Sequence, residues 1–224
     1  MRINLIIVRC SMNEFASFIH RWQTLIGALM GGIFALATAF VVAGSAIRRA
    51  QRTAAVLLIV DLLSVLRVSD NLKRLAQEQS VEETKYPLWV SKKLSWRRPK
   101  LTSAYDSLAA NLVGVDYALS AHLSLLKIVY SNLEEHLARI ETDIEDRRTK
   151  GSPRIPRALQ ATEADASSVA SALRLAGAHA TCAAHLLEEL VLSRMPRSLK
   201  RIRMCCCPTE VELTSKKLLR EGKI

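Results

Sequence analysis

Glycine, proline and aromatic residues are scarce in this chain of 224 residues, which contains only 8 Gly, 6 Pro and 5% aromatic residues. The shortage of turn-forming residues argues against a turn-rich all-β fold and rules out a collagen-like repeat. Leu and Ala dominate instead, and they favour α-helices that pack through aliphatic side chains. The sequence therefore predicts an all-α protein, whose length allows one domain of ordinary size with an appendage.

Motifs of catalysis and phosphate binding are missing as well. The chain has no Gly-rich phosphate loop, no His-Glu-x-x-His, no Gly-x-Ser-x-Gly and no Cys-x-x-Cys pair. Long helices with aliphatic contacts also leave little room for a substrate cavity. We therefore expect a protein that is not an enzyme and that needs no cofactor.

The cysteines do not form a disulfide framework. They number five, which is odd, and three of them are adjacent at Cys205–Cys207. Adjacent cysteines point in different directions and cannot bind one tetrahedral metal ion without further ligands. We expect the run to lie either in an exposed, redox-sensitive tail or in a chain end without a role, and the bulk of the chain in a reducing compartment.

Formal charge is absent from Trp22 to Ile47, a stretch of 26 residues. At about 1.5 Å per residue, a helix of this length spans a hydrocarbon core of roughly 30 Å. Arg21 precedes the stretch, and Arg48 and Arg49 follow it as interfacial anchors. A cleaved signal peptide is the competing interpretation, but its apolar region is usually only about 7–15 residues long. We predict a retained transmembrane helix.

The arginines also predict the orientation of this helix. Three precede it, and four follow it within the next 20 residues, at positions 48, 49, 52 and 67. A start at Met12 instead of Met1 would leave only Arg21 before the span. Either count favours a cytoplasmic location for the large C-terminal part.

Small residues recur every four positions within the span, at Gly27, Gly31, Ala35, Ala39 and Ala43. Such a stripe lets two membrane helices approach closely. The sequence therefore predicts a homodimer through this face, against the alternative that Gly and Ala are simply common in membrane helices.

The start of the apolar stretch, Trp22-Gln23-Thr24-Leu25-Ile26-Gly27-Ala28-Leu29, together with the basic pair Arg48-Arg49, resembles small single-pass inner-membrane proteins of proteobacteria that have no characterised activity. The likeness covers about the first quarter of the chain and contains no chemistry. It implies a bacterial inner membrane and supplies no site residues.

Apolar residues at helical spacing continue after the span and predict helices over about 53–83, 102–148 and 157–194. The clearest pattern is a heptad seam with one skip, typical of a coiled coil or bundle. It consists of Leu108, Leu112, Val115, Leu119, His122, Leu126, Val129, Leu133, Leu137, Ile140 and Ile144. We expect an antiparallel helical bundle, or a coiled-coil-like hairpin, after the span.

The chain thus divides into four predicted parts: an N-terminal segment (1–21), a transmembrane helix (22–47), a cytoplasmic helical bundle (48–194) and a basic, disordered tail (195–224). In a bundle of three antiparallel helices, the loop 84–101 and the segment after residue 194 meet at the membrane-distal tip. The predicted binding residues of this tip are Lys92, Lys93, Trp96, Arg97, Arg98, Lys100, Arg197, Lys200, Arg201 and Arg203.

The net charge of +11 suggests what such a tip would bind. An acidic protein or anionic lipid is one class of partner, and nucleic acid, which needs cations interleaved with aromatic rings, is another. A solvated loop and tail without a partner is the plainest alternative. We expect a membrane-anchored interaction or scaffold module, with a nucleic-acid tether or a small-ligand receptor as the alternatives.

Histidines are the remaining candidates. His122 lies within the heptad seam, where it is either a hydrogen-bonded core residue or a buried pH sensor. His179, Cys182 and His185 lie within two helical turns, but a metal ion would need a further ligand from elsewhere. We therefore expect no metal site.

Overall fold

The structure, a computed structural model, describes the backbone of residues 3–150 and 156–222. Within these residues it is all helical, as the sequence predicts. The helices are α1 (Ile3–Glu78), α2 (Tyr86–Trp96), α3 (Tyr105–Ala110), α4 (Tyr117–Lys150), α5 (Pro156–Leu187), a π-helical turn (Glu188–Leu192), α6 (Arg197–Cys206) and α7 (Glu210–Glu221). By contacts the chain splits into two units, Met1–Arg49 and Ala50–Ile224.

The first unit consists of the N-terminal part of α1. Among the described residues, one helical stretch, Leu25–Glu78, is long and apolar enough to cross a membrane by length and composition. Its most apolar window has a mean hydropathy of 2.3 and is not buried by any other part of the chain. A single-pass anchor is compatible with this helix, and so is a signal sequence.

The second unit is a helical bundle with two contiguous hydrophobic clusters. The first cluster joins residues 54–65 of α1 to the N-terminal half of α4 and the C-terminal half of α5. Leu58 of α1, Leu123 of α4 and Leu187 of α5 are examples. The second joins Leu72 and α2 to the other halves of the same two helices. The bundle core is therefore built mainly by α1, α4 and α5.

The apolar seams predicted from the sequence form this core. Every described member of the heptad seam from Leu112 to Ile140 is buried, and Leu108 is half-buried. Ile144 lies outside the described side chains. In the last long predicted helix, the buried apolar residues include Ala166, Leu173, Ala176, Ala180, Leu187 and Leu190.

The predicted single helix over 102–148 is wrong at its start, because the chain breaks between α3 and α4. Asp116 Oδ1 accepts hydrogen bonds from the amides of Ala118 and Leu119, at 2.9 and 3.4 Å, and so caps the N-terminus of α4. Val115 and Leu112 remain buried in the core although they lie in the turn. The apolar spacing therefore continues through the turn between α3 and α4, and it predicted one continuous helix there.

Because of this break, the chain passes along the bundle one more time than predicted, and different helix ends lie close together. The segment 79–116 runs back along α1, since Asp61 accepts hydrogen bonds from the Thr102 amide and hydroxyl at 3.1 and 2.9 Å. The bundle therefore has four passes, whereas the sequence predicted three. The predicted shared tip is wrong: α2 packs in the second hydrophobic cluster, whereas α6 packs beside the first.

The predicted disordered tail is also wrong, because residues 197–221 form the helices α6 and α7. Thr209 caps α7 through a capping box in which Glu212 accepts from the Thr209 amide at 2.8 Å. Gly222 ends the helix in the left-handed conformation with φ of 56°. We call α6 and α7 together the C-terminal hairpin.

Candidate functional site

A groove lies between the 68–79 segment of α1 and helix α2, with a volume of about 620 Å³. We call it the tryptophan groove. It is lined by Val68, Asn71, Leu72, Leu75, Gln79, Trp89, Lys92, Lys93, Trp96 and Arg97. Four of these residues, Lys92, Lys93, Trp96 and Arg97, belong to the predicted binding set.

Helix α2 holds the groove residues in place through its own amphipathic pattern. Pro87 lies in its first turn, where the missing amide costs nothing, and Ser91 donates a hydrogen bond to the Pro87 carbonyl at 2.9 Å. Val90 and Leu94 are completely buried. Because these two residues fix one face of α2 against the bundle, the opposite face presents Trp96 to solvent.

Trp89 forms one wall of the groove and is fixed by polar contacts. Its indole Nε1 donates a hydrogen bond to Gln79 Oε1 at 3.1 Å, and the Lys93 ammonium lies 5.6 Å from the ring centroid. Tyr86 stacks on the same ring with a centroid separation of 6.4 Å. Trp89 is therefore ordered in advance of any binding event.

Trp96 differs from Trp89 because 85% of it is exposed. The groove floor is apolar and contains the buried Leu72, while Lys92 and Arg97 are exposed at the rim. Among the described acidic side chains, none forms a salt bridge with Lys92 or Arg97. The groove thus combines an apolar floor, one exposed aromatic ring and cations that remain available to an anion.

The next two predicted residues do not belong to the groove. Arg98 forms an ion pair with Glu141 of α4, and this hydrogen bond raises the pKa of the Arg98 guanidinium. Lys100 is exposed outside the groove lining. Tyr130 donates a hydrogen bond to the Pro99 carbonyl between them. The chain after α2 is therefore fastened to α4.

The predicted residues of α6 are also engaged by the bundle. Arg197 donates to Gln51 Oε1 at 2.6 Å and to the Leu190 carbonyl at 3.1 Å. Lys200 forms an ion pair with Glu189, which lowers the pKa of that carboxyl. These cations serve to attach α6.

The other two cations of α6 are held in the same way. Arg203 donates to Glu212 Oε1 at 2.6 Å and lies 3.6 Å from Glu189 Oε2. Arg201 donates to the Val115 carbonyl, and its guanidinium lies 3.7 Å from Asp116 Oδ2. The two basic segments therefore do not form one surface, and the first contributes to the tryptophan groove.

Beneath the hairpin, a buried polar cluster fastens α7 to the bundle. His122 Nδ1 and His179 Nδ1 lie 2.8 Å apart, and His122 Nε2 lies 2.7 Å from Ser215 Oγ. Burial, and then the neighbouring His179, lower the pKa of His122 to about 4. His122 is thus a hydrogen-bonded core residue that is neutral near pH 7. The sequence could not show its partner Ser215, because that residue belongs to the predicted disordered tail.

His185 and Glu212 form the second polar contact under the hairpin, with Nε2 and Oε1 3.3 Å apart. Burial acts to raise the pKa of Glu212, but the Thr209 amide, His185 and Arg203 outweigh it and lower the pKa. Burial raises the pKa of the Cys182 thiol to about 11. No group of three or more His, Cys, Asp or Glu in the described part of the chain is placed to hold a metal ion.

A second cleft, of about 600 Å³, lies between α4, α5 and α7. Asn132, Ser171 and Arg174 line its polar side, and Val129 and Leu175 its apolar side. Nearby, His136 Nδ1 lies 2.8 Å from Asp165 Oδ1. No sequence pattern predicted this cleft, since its residues come from three helices.

The predicted dimer face lies entirely on α1 in the first unit. All five of its residues are exposed: Gly27, Gly31, Ala35, Ala39 and Ala43. Methyl groups added at Gly27 and Gly31 would meet nothing within 4 Å. The face is therefore available for a second copy, and the homodimer stays a prediction.

Comparisons with protein-family models, with curated proteins and with solved structures find no match to this chain. The resemblance to inner-membrane proteins of proteobacteria accordingly stays a prediction.

Proposed function

We propose that this protein is a membrane-anchored helical-bundle interaction module, and that its tryptophan groove binds an acidic, amphipathic segment of a partner protein. The observation that supports the proposal is the combination of an apolar floor at Leu72 with exposed Lys92, Arg97 and Trp96 on the rim. Interface hot spots are enriched in Trp and Arg next to apolar pockets.

The anchoring part of the proposal depends on the exposed apolar residues of the first unit. Large side chains such as Leu29, Phe34, Phe40 and Val41 are 65–76% exposed. An apolar patch of this extent on a soluble monomer would be an aggregation liability, whereas a bilayer covers it. The arginines after Ile47 support a location of the bundle in the cytoplasm, and the bacterial inner membrane is what the resemblance of the start of the span implies.

The composition of the groove favours a peptide over nucleic acid. Nucleic-acid binding depended on the nine predicted cations meeting at one tip, but the cations of α6 are paired within the bundle. Three cations beside an apolar floor suit a helix with an acidic side and an aliphatic side. Anionic partners without an apolar surface would leave Leu72 and Leu75 uncovered.

A photo-crosslinking amino acid at Trp96, in cells, tests this function. We expect a discrete protein adduct, because the side chain lies at the mouth of the groove. The matched control is the same crosslinker at Tyr117, which is 84% exposed but lies outside the groove. An adduct that forms equally at both positions contradicts groove binding.

Charge reversal sharpens the same experiment. Lys92→Glu together with Lys93→Glu should abolish the Trp96 adduct, since both cations line the groove. Lys216→Glu together with Lys217→Glu changes the net charge equally on exposed positions of α7 and should leave the adduct intact. Nucleic acid captured at Trp96, with binding that weakens steeply with salt, would favour the tether instead.

The stripe from Gly27 to Ala43 supports a homodimer as the assembled form of the anchor. Gly27→Leu with Gly31→Leu should reduce energy transfer between labelled copies in vesicles, whereas Gly32→Leu serves as the control beside the stripe. Equal transfer in all variants would contradict dimerisation through this face.

The cleft between α4, α5 and α7 supports a second candidate function, the binding of a small ligand that carries a carboxylate and an apolar part. Arg174 and Asn132 supply the polar contacts and Leu175 the apolar ones. A screen of small carboxylic acids by thermal shift of the detergent-solubilised protein tests it. Stabilisation that survives Arg174→Ala would argue against this site.

A further inference from the structure

Helix α6 is amphipathic with its faces inverted relative to a helix of a soluble bundle. Its inward face carries Arg197, Lys200 and Arg203, which are half-buried. Its outward face carries Leu199 and Ile202, which are 52% and 59% exposed. A helix on a soluble bundle normally turns its apolar residues toward the core. No described residue in α6 is buried.

The ion pairs explain why the helix keeps this orientation. Glu189 and Asp116 of the bundle and Glu212 of α7 lie under α6, and each pairs with one of its cations. Turning the helix over would bring Leu199 against these carboxylates and leave them unpaired. The exposure of the apolar face is therefore built into the attachment of α6 to the bundle.

The apolar face extends to both ends of α6. Met195, just before α6, is 55% exposed, and Cys205 and Cys206 at its C-terminal end are exposed too. Arg194 is exposed beside Met195. An exposed apolar strip on a helix whose other face is basic is the pattern of a helix that lies at a membrane surface.

The attachment point limits how far α6 is from the predicted span. Arg197 donates to Gln51 Oε1 at 2.6 Å. Gln51 follows Ile47, the last residue of the span, by four residues, so their Cα atoms cannot be more than about 14 Å apart in any conformation. The headgroup layer on each side of a bilayer is itself roughly 5–8 Å thick.

We infer that the outward face of α6, formed by Met195, Leu199, Ile202 and Cys206, lies in the headgroup layer of the membrane that holds the span. This inference rests on the anchoring proposed above. Arg194, which is exposed just before α6, then meets lipid phosphates, so that anionic lipid strengthens the contact.

A bilayer fits this face better than a protein partner does. Stable protein interfaces bury about 800 Å² per partner, and one ten-residue helix with three apolar side chains offers much less. A bilayer contact needs no such area, because the span already holds the helix close to the lipid.

Nitroxide labels on the full-length protein in vesicles of phosphatidylcholine and phosphatidylglycerol test this position. The labels are placed one at a time at Ile202→Cys and Leu199→Cys, in a background whose native cysteines are replaced by alanine. Lys217→Cys on α7, with a side chain 74% exposed, is the aqueous control. Phe40→Cys is the control for the span.

We expect the labels at Ile202 and Leu199 to be several-fold less accessible to a water-soluble nickel reagent, relative to oxygen, than the label at Lys217. Replacing phosphatidylglycerol by phosphatidylcholine should shift both toward the aqueous value. If Ile202 and Leu199 match Lys217 while Phe40 is in the hydrocarbon, the inference is wrong and the anchor stands. If Phe40 is aqueous too, the anchor itself is wrong. Dipolar broadening between labels at Ile202 would show that a second copy covers the face, which also overturns the inference.

Discussion

Helices α2 and α6 carry similar runs of cations, yet the fold uses them in opposite ways. Lys92 of α2 and Arg97 just after it are exposed beside an apolar groove, and no acidic side chain among the described residues pairs with them. Lys200 of α6 pairs with Glu189, and Arg203 of α6 pairs with Glu212. The same composition therefore produces a binding rim in one place and an attachment in the other.

The difference lies in the acids that the fold brings to each helix. Glu189 reaches α6 from the π-helical turn, and Glu212 reaches it from α7. Just after α2, Arg98 pairs with Glu141, but this pair lies beyond the groove. A basic run therefore indicates an available binding surface only where tertiary structure supplies no counter-charge.

The largest effect is expected from removing the acid that holds the hairpin. Glu212→Ala takes away the partner of Arg203 and the acceptor of the Thr209 amide, and Glu212 is only 2% exposed. We expect α7 to lose about 3 kcal/mol of stability, because Glu212 accepts hydrogen bonds from Arg203 and from the Thr209 amide, and a bond to a charged group contributes roughly 1.5–3 kcal/mol. Hydrogen exchange of the full chain in detergent measures this loss.

The matched control is Glu210→Ala, in the same first turn of α7 but exposed. It should cost at most about 0.5 kcal/mol, from the weaker helix-dipole contact. Equal losses in the two variants would show that the ion pairs do not hold α6 and α7.

A second test concerns acid, because the hairpin depends on neutral histidine. The folded protein lowers the pKa of His122 to about 4, below the value of about 6.5 in an unfolded chain. The unfolded state therefore binds the proton first, and stability is complete above pH 6.5 and falls as the pH drops toward 4. By pH 5 the loss is about 2 kcal/mol.

The carboxyl groups of Glu189 and Glu212 do not obscure the change between pH 7 and 5. Their pKa values are lowered in the folded protein, so their contribution to stability is lost only at lower pH. His122→Gln should flatten the dependence of stability on pH between 7 and 5, measured by denaturant unfolding in detergent. His20→Gln, at an exposed position, should leave it unchanged. An unaltered slope in His122→Gln would disprove the role of the buried cluster.

The core of the bundle and the exposed residues at the groove rim could be predicted from the sequence, whereas the apolar floor of the groove could not. Leu119, Leu126 and Leu133 are buried where the heptad seam placed them, because aliphatic side chains at helical spacing have few alternatives to a core. The cap at Asp116 was equally visible in the sequence, as an N-cap residue after Gly114. The predicted helix over 102–148 has no break at Asp116, so the predicted directions of the helices after it are reversed.

The C-terminal hairpin escaped prediction for a different reason. Its apolar residues, such as Leu199 and Ile202, are not buried, so α6 shows no core stripe. What holds it are long-range pairs such as Arg197 with Gln51, 146 positions apart in the chain. Spacing within one helix carries no information about such pairs. The apolar floor of the groove, with Leu72 and Leu75, was missed for the same reason.

A smaller effect distinguishes the two basic runs directly. Lys200→Ala removes a cation whose side chain is only 14% exposed and is paired with Glu189, so we expect a loss of about 1 kcal/mol. Lys92→Ala removes an exposed cation and should change stability by less than about 0.5 kcal/mol. Denaturant unfolding of the full chain in detergent compares them. A larger loss at Lys92 would mean that the α2 cations are structural.

The smallest effect on stability is expected where the effect on binding is greatest. Trp96→Ala removes a side chain that is 85% exposed, and it should leave the unfolding free energy unchanged within about 0.5 kcal/mol. Trp89→Ala removes a ring held by Gln79 and Lys93, and it should destabilise α2 measurably. If the groove binds a partner segment, a crosslinker at Lys92 captures that partner in the native chain and loses it in Trp96→Ala, although the variant is folded. A variant that keeps the adduct would show that Trp96, despite its position, contributes no binding energy.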